Sequence, residues 1–300
     1  MKTFFSRRSF LRQAAATAAL LPIAAPAFSL DKAKYDISYL EGLVEPGALN
    51  KKVQYIPPSQ IDASYSHVIY VNTSTSGGGG QKMWVLERDL PGDTKTAALE
   101  LDDDVLASSK APGPWRLALH DPDFWAKQDL AEGEMPAYSW PVSTGRHYKG
   151  DRRSGPTPLG IFNMDERQSR RRRGWGSPGM YNSLYIDLHY TSGRISGVAM
   201  HGTTKSRYRL LGRPDSHGCI RMTQTNADRV WAMMHPDGKT GTSSPLWGEV
   251  PRYFTSTPKE SRQARRGYVR DGSFLFDETG ENRLTKAGYR VLMIFFRDDV

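Results

Sequence analysis

A mainly β fold with one or two short helices is what this sequence predicts, and three features predict it. Seven short β-rich runs recur, at residues 67–73, 82–88, 115–120, 138–143, 160–164, 184–190 and 195–201. In the sixth, Leu184, Ile186 and Leu188 alternate with Tyr185, Asp187 and His189, the period-two signature of a half-buried strand. Against these stands one convincing helix: Ala227, Val230, Trp231 and Met234 fall at i, i+3, i+4 and i+7, with Asn226 as a candidate cap and Pro236 soon after the end. Many short strands and few helices argue a β-sandwich of two packed sheets or a distorted barrel.

The elements divide the 300 residues in order. Residues 1–27 carry only positive charges (Lys2, Arg7, Arg8, Arg12), then a short Ala-rich stretch ending in Ala25-Pro26-Ala27, the pattern of an export signal. The pair Arg7-Arg8 before Phe10-Leu11 resembles a twin-arginine signal, which implies passage through the twin-arginine export machinery to the periplasm or cell envelope. The stretch is too short, and too broken by Pro22 and Pro26, for a membrane span. Residues 28–65 have little periodicity and read as an N-terminal extension. The strand-rich domain occupies residues 66–235, opening with a hairpin of runs 67–73 and 82–88 across a loose glycine-rich tip. Residues 236–300 read as a C-terminal extension packed on the domain.

Composition excludes several classes. At 38% hydrophobic and 24% charged, the chain can bury a core and is not a disordered polymer. One cysteine excludes an intramolecular disulfide framework and any site built from several thiolates. Neither the glycine run 77–80 nor Gly238-Lys239-Thr240 completes a phosphate loop. Charge is lopsided: residues 87–134 hold 12 acidic and 5 basic side chains, including an acidic insertion at about 90–135, whereas residues 135–230 hold 16 basic and 6 acidic. That points to a basic working surface for an anionic partner. Nucleic acid is a poor candidate, because the chain reads as exported and has no recognition-helix or stacking motif. The cluster Arg170–Arg173 reads first as a solvated loop.

Chemistry concentrates at two stretches, Met200-His201-Gly202-Thr203 and, fifteen residues after His201, Ser216-His217-Gly218-Cys219-Ile220-Arg221. A cysteine nucleophile needs a base, a tight bend that exposes the thiolate, and N–H groups aimed at the developing oxyanion. Gly218 permits an unusual backbone conformation just before the thiol. His201 and His217 compete as base; His201 is favoured because it approaches from another strand, while His217 sits two residues from Cys219. The other readings, an inert buried thiol or a zinc site from His201, His217 and Cys219, are weaker, since nothing marks a separate general-base carboxylate. No metal or organic cofactor is expected.

His201 with Ser216-His217-Gly218-Cys219-Ile220-Arg221, preceded by Val142-Ser143-Thr144-Gly145 and Thr157-Pro158-Leu159-Gly160-Ile161-Phe162, resembles the L,D-transpeptidase (YkuD) catalytic domain in order and spacing. The resemblance implies a peptidoglycan enzyme with an L,D-transpeptidase-like β-sandwich or distorted barrel. It makes Cys219 the nucleophile and His201 the general base and acid. The Gly202 carbonyl would orient His201, and the Gly218 and Cys219 N–H groups would form an oxyanion hole. Ser216 and His217 would shape the bend and line the substrate site, and Arg221 would either bind a substrate carboxylate or brace the loop. It implies acyl transfer from a tetrapeptide stem with release of D-alanine. The acceptor is left open among a second stem, a lysine of an envelope lipoprotein, a free D-amino acid and water. The implied roles are cell-wall organisation and cell shape, with acylation by carbapenems. An L,D-carboxypeptidase or crosslink hydrolase on the same pair, and a non-catalytic peptidoglycan-binding protein, are the alternatives.

Overall fold

The structure is a computed structural model that describes residues 37–43, 55–76, 80–90, 112–118, 140–171, 180–190, 196–253, 256–257 and 282–298. The export-signal reading, most of the acidic insertion, and the side chains of Arg170–Arg173 lie outside the described residues.

Thirteen strands are described: β1 (His67–Asn72), β2 (Lys82–Glu87), β3 (Arg116–Leu117), β4 (Trp140–Pro141), β5 (Gly160–Arg171), β6 (Tyr181–Ile186), β7 (His189–Tyr190), β8 (Ala199–Gly202), β9 (Ile220–Met222), β10 (Trp247–Pro251), β11 (Ser256–Thr257), β12 (Thr285–Tyr289) and β13 (Val291–Phe296). Nine form one mixed sheet in the order β3-β2-β1-β13-β5-β6-β8-β9, with β4 also on β2. β10 with β12 and β7 with β11 make two small two-stranded sheets. The fold is mainly β, and among the described residues no barrel closes.

The hairpin read from sequence is present, with β1 and β2 antiparallel from His67 opposite Glu87 to Asn72 opposite Lys82. β5 runs on beyond the run expected at 160–164. Its first residues pair with β13, and from Met164 onward it pairs with β6, with a register shift between Met164 and Gln168. Such a bulge bends the strand locally.

Both faces of the central strands are buried. Ile69, Val71, Met293 and Phe295 point into one apolar cluster, completed by Leu184, Ile186, Met200 and Ile220 and covered by Ala227, Val230, Trp231 and Met234 of the helix. Val68, Tyr70, Leu292, Ile294 and Phe296 point into the other, covered by Leu40, Leu43, Ile61 and Tyr65. The N-terminal segment therefore contributes core residues. β13 lies inside the sheet, parallel to β1 and antiparallel to β5. The boundary drawn at residue 235 consequently does not divide the sheet, because a strand buried on both faces closes the gap between β1 and β5.

The helix spans Gln224–Met234. Its cap is Thr223, whose hydroxyl accepts from Asn226 N at 3.1 Å, and not Asn226 as expected. A second, five-residue helix is Ser38–Gly42. No helix among the described residues is long and apolar enough to cross a membrane.

Candidate active site

The two chemistry-bearing stretches meet where β8 and β9 pair in parallel. Met200 lies opposite Ile220 and His201 opposite Arg221, so Cys219 immediately precedes the strand hydrogen-bonded to the one that carries His201. Alternation does the sorting: Met200 and Ile220 turn into the core, which leaves His201 and Arg221 on the other face. The Cys219 thiol donates to the carbonyl of Gly197, at 3.9 Å, in the segment leading into β8. Cys219 is half-buried, whereas His201 is only 3% exposed.

His201 Nδ1 lies 2.7 Å from the Gly202 carbonyl oxygen. A carbonyl can only accept, so Nδ1 carries the hydrogen and the neutral ring presents its lone pair at Nε2. The Gly202 carbonyl is thus in hydrogen-bond contact with the ring of His201. A Cβ at Gly202 would meet the Gln224 side-chain oxygen at 2.2 Å, which ties this position to the start of the helix.

The bend before Cys219 is held by its own hydroxyl and by a second loop. Ser216 Oγ donates to the Cys219 carbonyl and accepts from Gly218 N at 3.1 Å. Two expectations are corrected here. Ser216 is fully buried, so it builds the bend and cannot contact substrate. The Gly218 N–H, expected in an oxyanion hole, is engaged by Ser216 because the hydroxyl folds back inside the turn. Thr157 Oγ1 accepts from Gly145 N and donates to the Gly218 carbonyl, both at 2.8 Å. Backbones approach closely here: a Cβ on Gly145 would lie 2.3 Å from the Gly155 oxygen and 2.6 Å from Gly218 Cα.

His217 is turned toward the second loop. Its Nε2 lies 3.2 Å from Asp151 Oδ2, and its ring stacks on Tyr148 with centroids 4.7 Å apart. It is exposed at the rim, where a substrate contact is sterically open. Arg221 is partly buried and braces the bend, its Nη1 donating to the Asp215 carbonyl at 2.6 Å. Of the two roles expected for Arg221, bracing is the one its contacts fill. Sequence reasoning missed Asp215, Tyr148, Arg146, Arg207 and Thr157. Only Thr157 lay within a recognised stretch, and Arg146 directly follows one; Asp215 carried no local signal.

Trp140 is in the core, His235 is buried and stacks on Trp231, and Tyr181 is exposed. Among the described residues no group of three or more His, Cys, Asp or Glu side chains is arranged to hold a metal ion.

Residues 126–245 match the family model of the L,D-transpeptidase (YkuD) catalytic domain. No curated protein sequence matches the chain. Among solved structures, an L,D-transpeptidase from Mycobacterium smegmatis is similar at 23% sequence identity over 34% of this chain and 46% of that one, with a TM-score of 0.21. The chain therefore spans about half the length of that relative.

Proposed function

We propose that the protein is an exported cysteine acyltransferase of the L,D-transpeptidase type, acting on peptidoglycan peptide stems in the cell envelope. The observation that carries this reading is the tautomer of His201. With Nδ1–H held by the Gly202 carbonyl, Nε2 is set to take a proton, and the parallel pairing of β8 with β9 brings Cys219, the residue before β9, alongside the strand that carries His201. The match of residues 126–245 to the family model supports the same chemistry.

In this reading His201 Nε2 removes the Cys219 thiol proton and the thiolate attacks the carbonyl of the third stem residue. Collapse of the tetrahedral adduct breaks the amide bond; the proton on His201 passes to the departing D-alanine amine and a thioester remains. An acceptor amine, losing its proton to His201, then attacks the thioester and releases Cys219. Because the Gly218 N–H bonds Ser216, oxyanion stabilisation falls to the Cys219 N–H and its neighbours. Arg7-Arg8 and the Ala-rich stretch support delivery to the periplasm by the twin-arginine route.

The test is mass spectrometry of the protein incubated with a disaccharide tetrapeptide, beside Cys219→Ala and His201→Ala. Crosslinked dimer with released D-alanine, lost in both variants, is the expected result. Tripeptide and D-alanine without dimer would make the protein a hydrolase or direct it to another acceptor, such as a lipoprotein lysine. An unchanged stem with folded protein would leave a binding role only. A carbapenem should add its mass to the wild type and not to Cys219→Ala; an unmodified wild type would contradict the assignment of the nucleophile.

A further inference from the structure

Three guanidinium groups converge on one buried carboxylate beside the Cys219 bend. Asp215 is 7% exposed. Arg146 Nη2 lies 3.2 Å from its Oδ1, Arg207 Nη1 3.1 Å from its Oδ2, and Arg221 Nη1 3.6 Å from the same Oδ2. The Tyr148 hydroxyl donates to Asp215 as well, with the main-chain oxygen at 2.7 Å and Oδ1 at 3.0 Å. One carboxylate neutralises one of three guanidinium charges, so the cluster retains two.

The three arginines are not equivalent. Arg221 keeps only 13% of its side chain exposed and contacts Asp215 at both its carbonyl and its carboxylate. Arg146 and Arg207 keep 51% and 54% of their side chains exposed. Each touches the carboxylate through one nitrogen of a planar five-donor fork; among the described residues the remaining donors of Arg207 meet no protein acceptor. Arg146 is also steadied over the Tyr148 ring, 4.4 Å from its centroid. Two solvent-facing guanidiniums fixed on opposite oxygens of a buried anion need little further ordering to bind a planar carboxylate.

Their place is next to the nucleophile. Arg146 N donates to the Ser216 carbonyl at 2.9 Å, Gly145 bridges to Ser216, and Tyr148 stacks on His217. The two segments around the pair, residues 144–153 and 204–217, together hold eight basic and two acidic side chains, a net +6 of the chain's +9.

We propose that Arg146 and Arg207, held by the buried Asp215 carboxylate, form a carboxylate-binding subsite beside Cys219 that takes one carboxylate of the acyl-donor stem. This rests on the proposed function, since the stem is what carries several carboxylates. The subsite sets the register of the stem so that one carbonyl meets the thiol; Asp215 is the positioning residue and the two arginines are the ligands.

The test is calorimetric binding to the full chain carrying Cys219→Ala. The ligands are a disaccharide tetrapeptide with all carboxylates free and a set in which each carboxylate is amidated singly. Arg146→Ala and Arg207→Ala should each weaken binding of the free-acid stem by roughly ten- to a hundredfold. One amidated stem should bind weakly to the parent and lose nothing more on either substitution. Arg207→Lys, which keeps the charge and loses the fork, should fall between. Arg209→Ala removes the same charge from the same segment away from Asp215 and should weaken binding far less than either substitution. Equal weakening by Arg209→Ala, equal sensitivity of every amidated stem, or no binding of any stem overturns the subsite. Turnover of the free-acid stem by the protein with Cys219 intact separates the two readings. The expected binding pattern without turnover overturns the enzyme and keeps the subsite; turnover with KM unchanged in both arginine variants does the reverse.

Discussion

Gly218 adopts φ of +137°, a region that side chains rarely enter, and the only atom near a hypothetical Cβ is the Gly155 oxygen at 3.9 Å. Gly218→Ala therefore meets no clash, and its cost is conformational, on the order of 1–3 kcal/mol. Gly145 is the reverse case: an added Cβ would strike backbone at 2.3 and 2.6 Å, which cannot move aside as a side chain can. Thiol alkylation by iodoacetamide and thermal melting, measured together, should show both glycine variants slowed in alkylation, Gly145→Ala also losing the larger part of its stability. At the same scale, His67 is held neutral. Burial, partly opposed by Glu87 3.9 Å away, lowers its pKa from 6.5 to about 4. The unfolded chain then binds more protons than the folded one between these values, so the contribution is complete above about pH 6.5 and is lost as pH falls through 4. His67→Gln should flatten the acid side of the stability–pH curve by up to about 3 kcal/mol; a curve as steep as the parent's would contradict it.

Among the elements, the helix shows how a small sequence cue was misread by one turn. Thr223 and Asn226 are both capping residue types, and the apolar period begins at Ala227, which favours Asn226 from sequence. The chain leaves β9 at Met222, however, so the helix starts as soon as the strand ends and Thr223 takes the cap. Thr223→Ala should cost about 1 kcal/mol in urea unfolding with the slope unchanged. β1 and β2 were legible because β-rich runs flank a glycine-rich turn. β9 was not: three residues are too few to display a period, and their pairing partner, β8, lies some twenty residues away.

The main sheet is completed by β13, the last strand among the described residues. The run Val291–Phe296 is buried throughout and pairs along its length with β1, 224 residues distant in the register of His67 and Val291. A continuous apolar run carries no alternation when both faces are covered, so periodicity gave it no identity as a central strand. Truncation after residue 283 should leave protein that neither melts cooperatively nor resists proteolysis; a truncated chain with a sharp transition would show that the sheet closes without β13. The charge asymmetry belongs to this scale too. Because six of the nine net positive charges lie around the Asp215 cluster, stem binding should weaken with added salt more than thiol alkylation does.

What the sequence by itself determined was chemical identity and local spacing: one cysteine, a glycine before it, a histidine upstream at the end of a predicted strand, and the mainly β character that short alternating runs dictate. What only the tertiary structure decided were partners far apart in the chain. The hydroxyl of Thr157 reaches Gly218, 61 residues on, and Tyr148 reaches Asp215, 67 residues on. No local pattern encodes that Asp215 would be buried under three arginines, because each arginine alone has the composition of a solvated surface residue. Nor does any local pattern encode the engagement of the Gly218 N–H by Ser216, since a serine two residues before a glycine reads equally as a substrate contact. Local propensity reports the backbone's period and the residue types available, whereas hydrogen-bond and charge pairing depend on which distant backbones the sheet brings within a few ångströms.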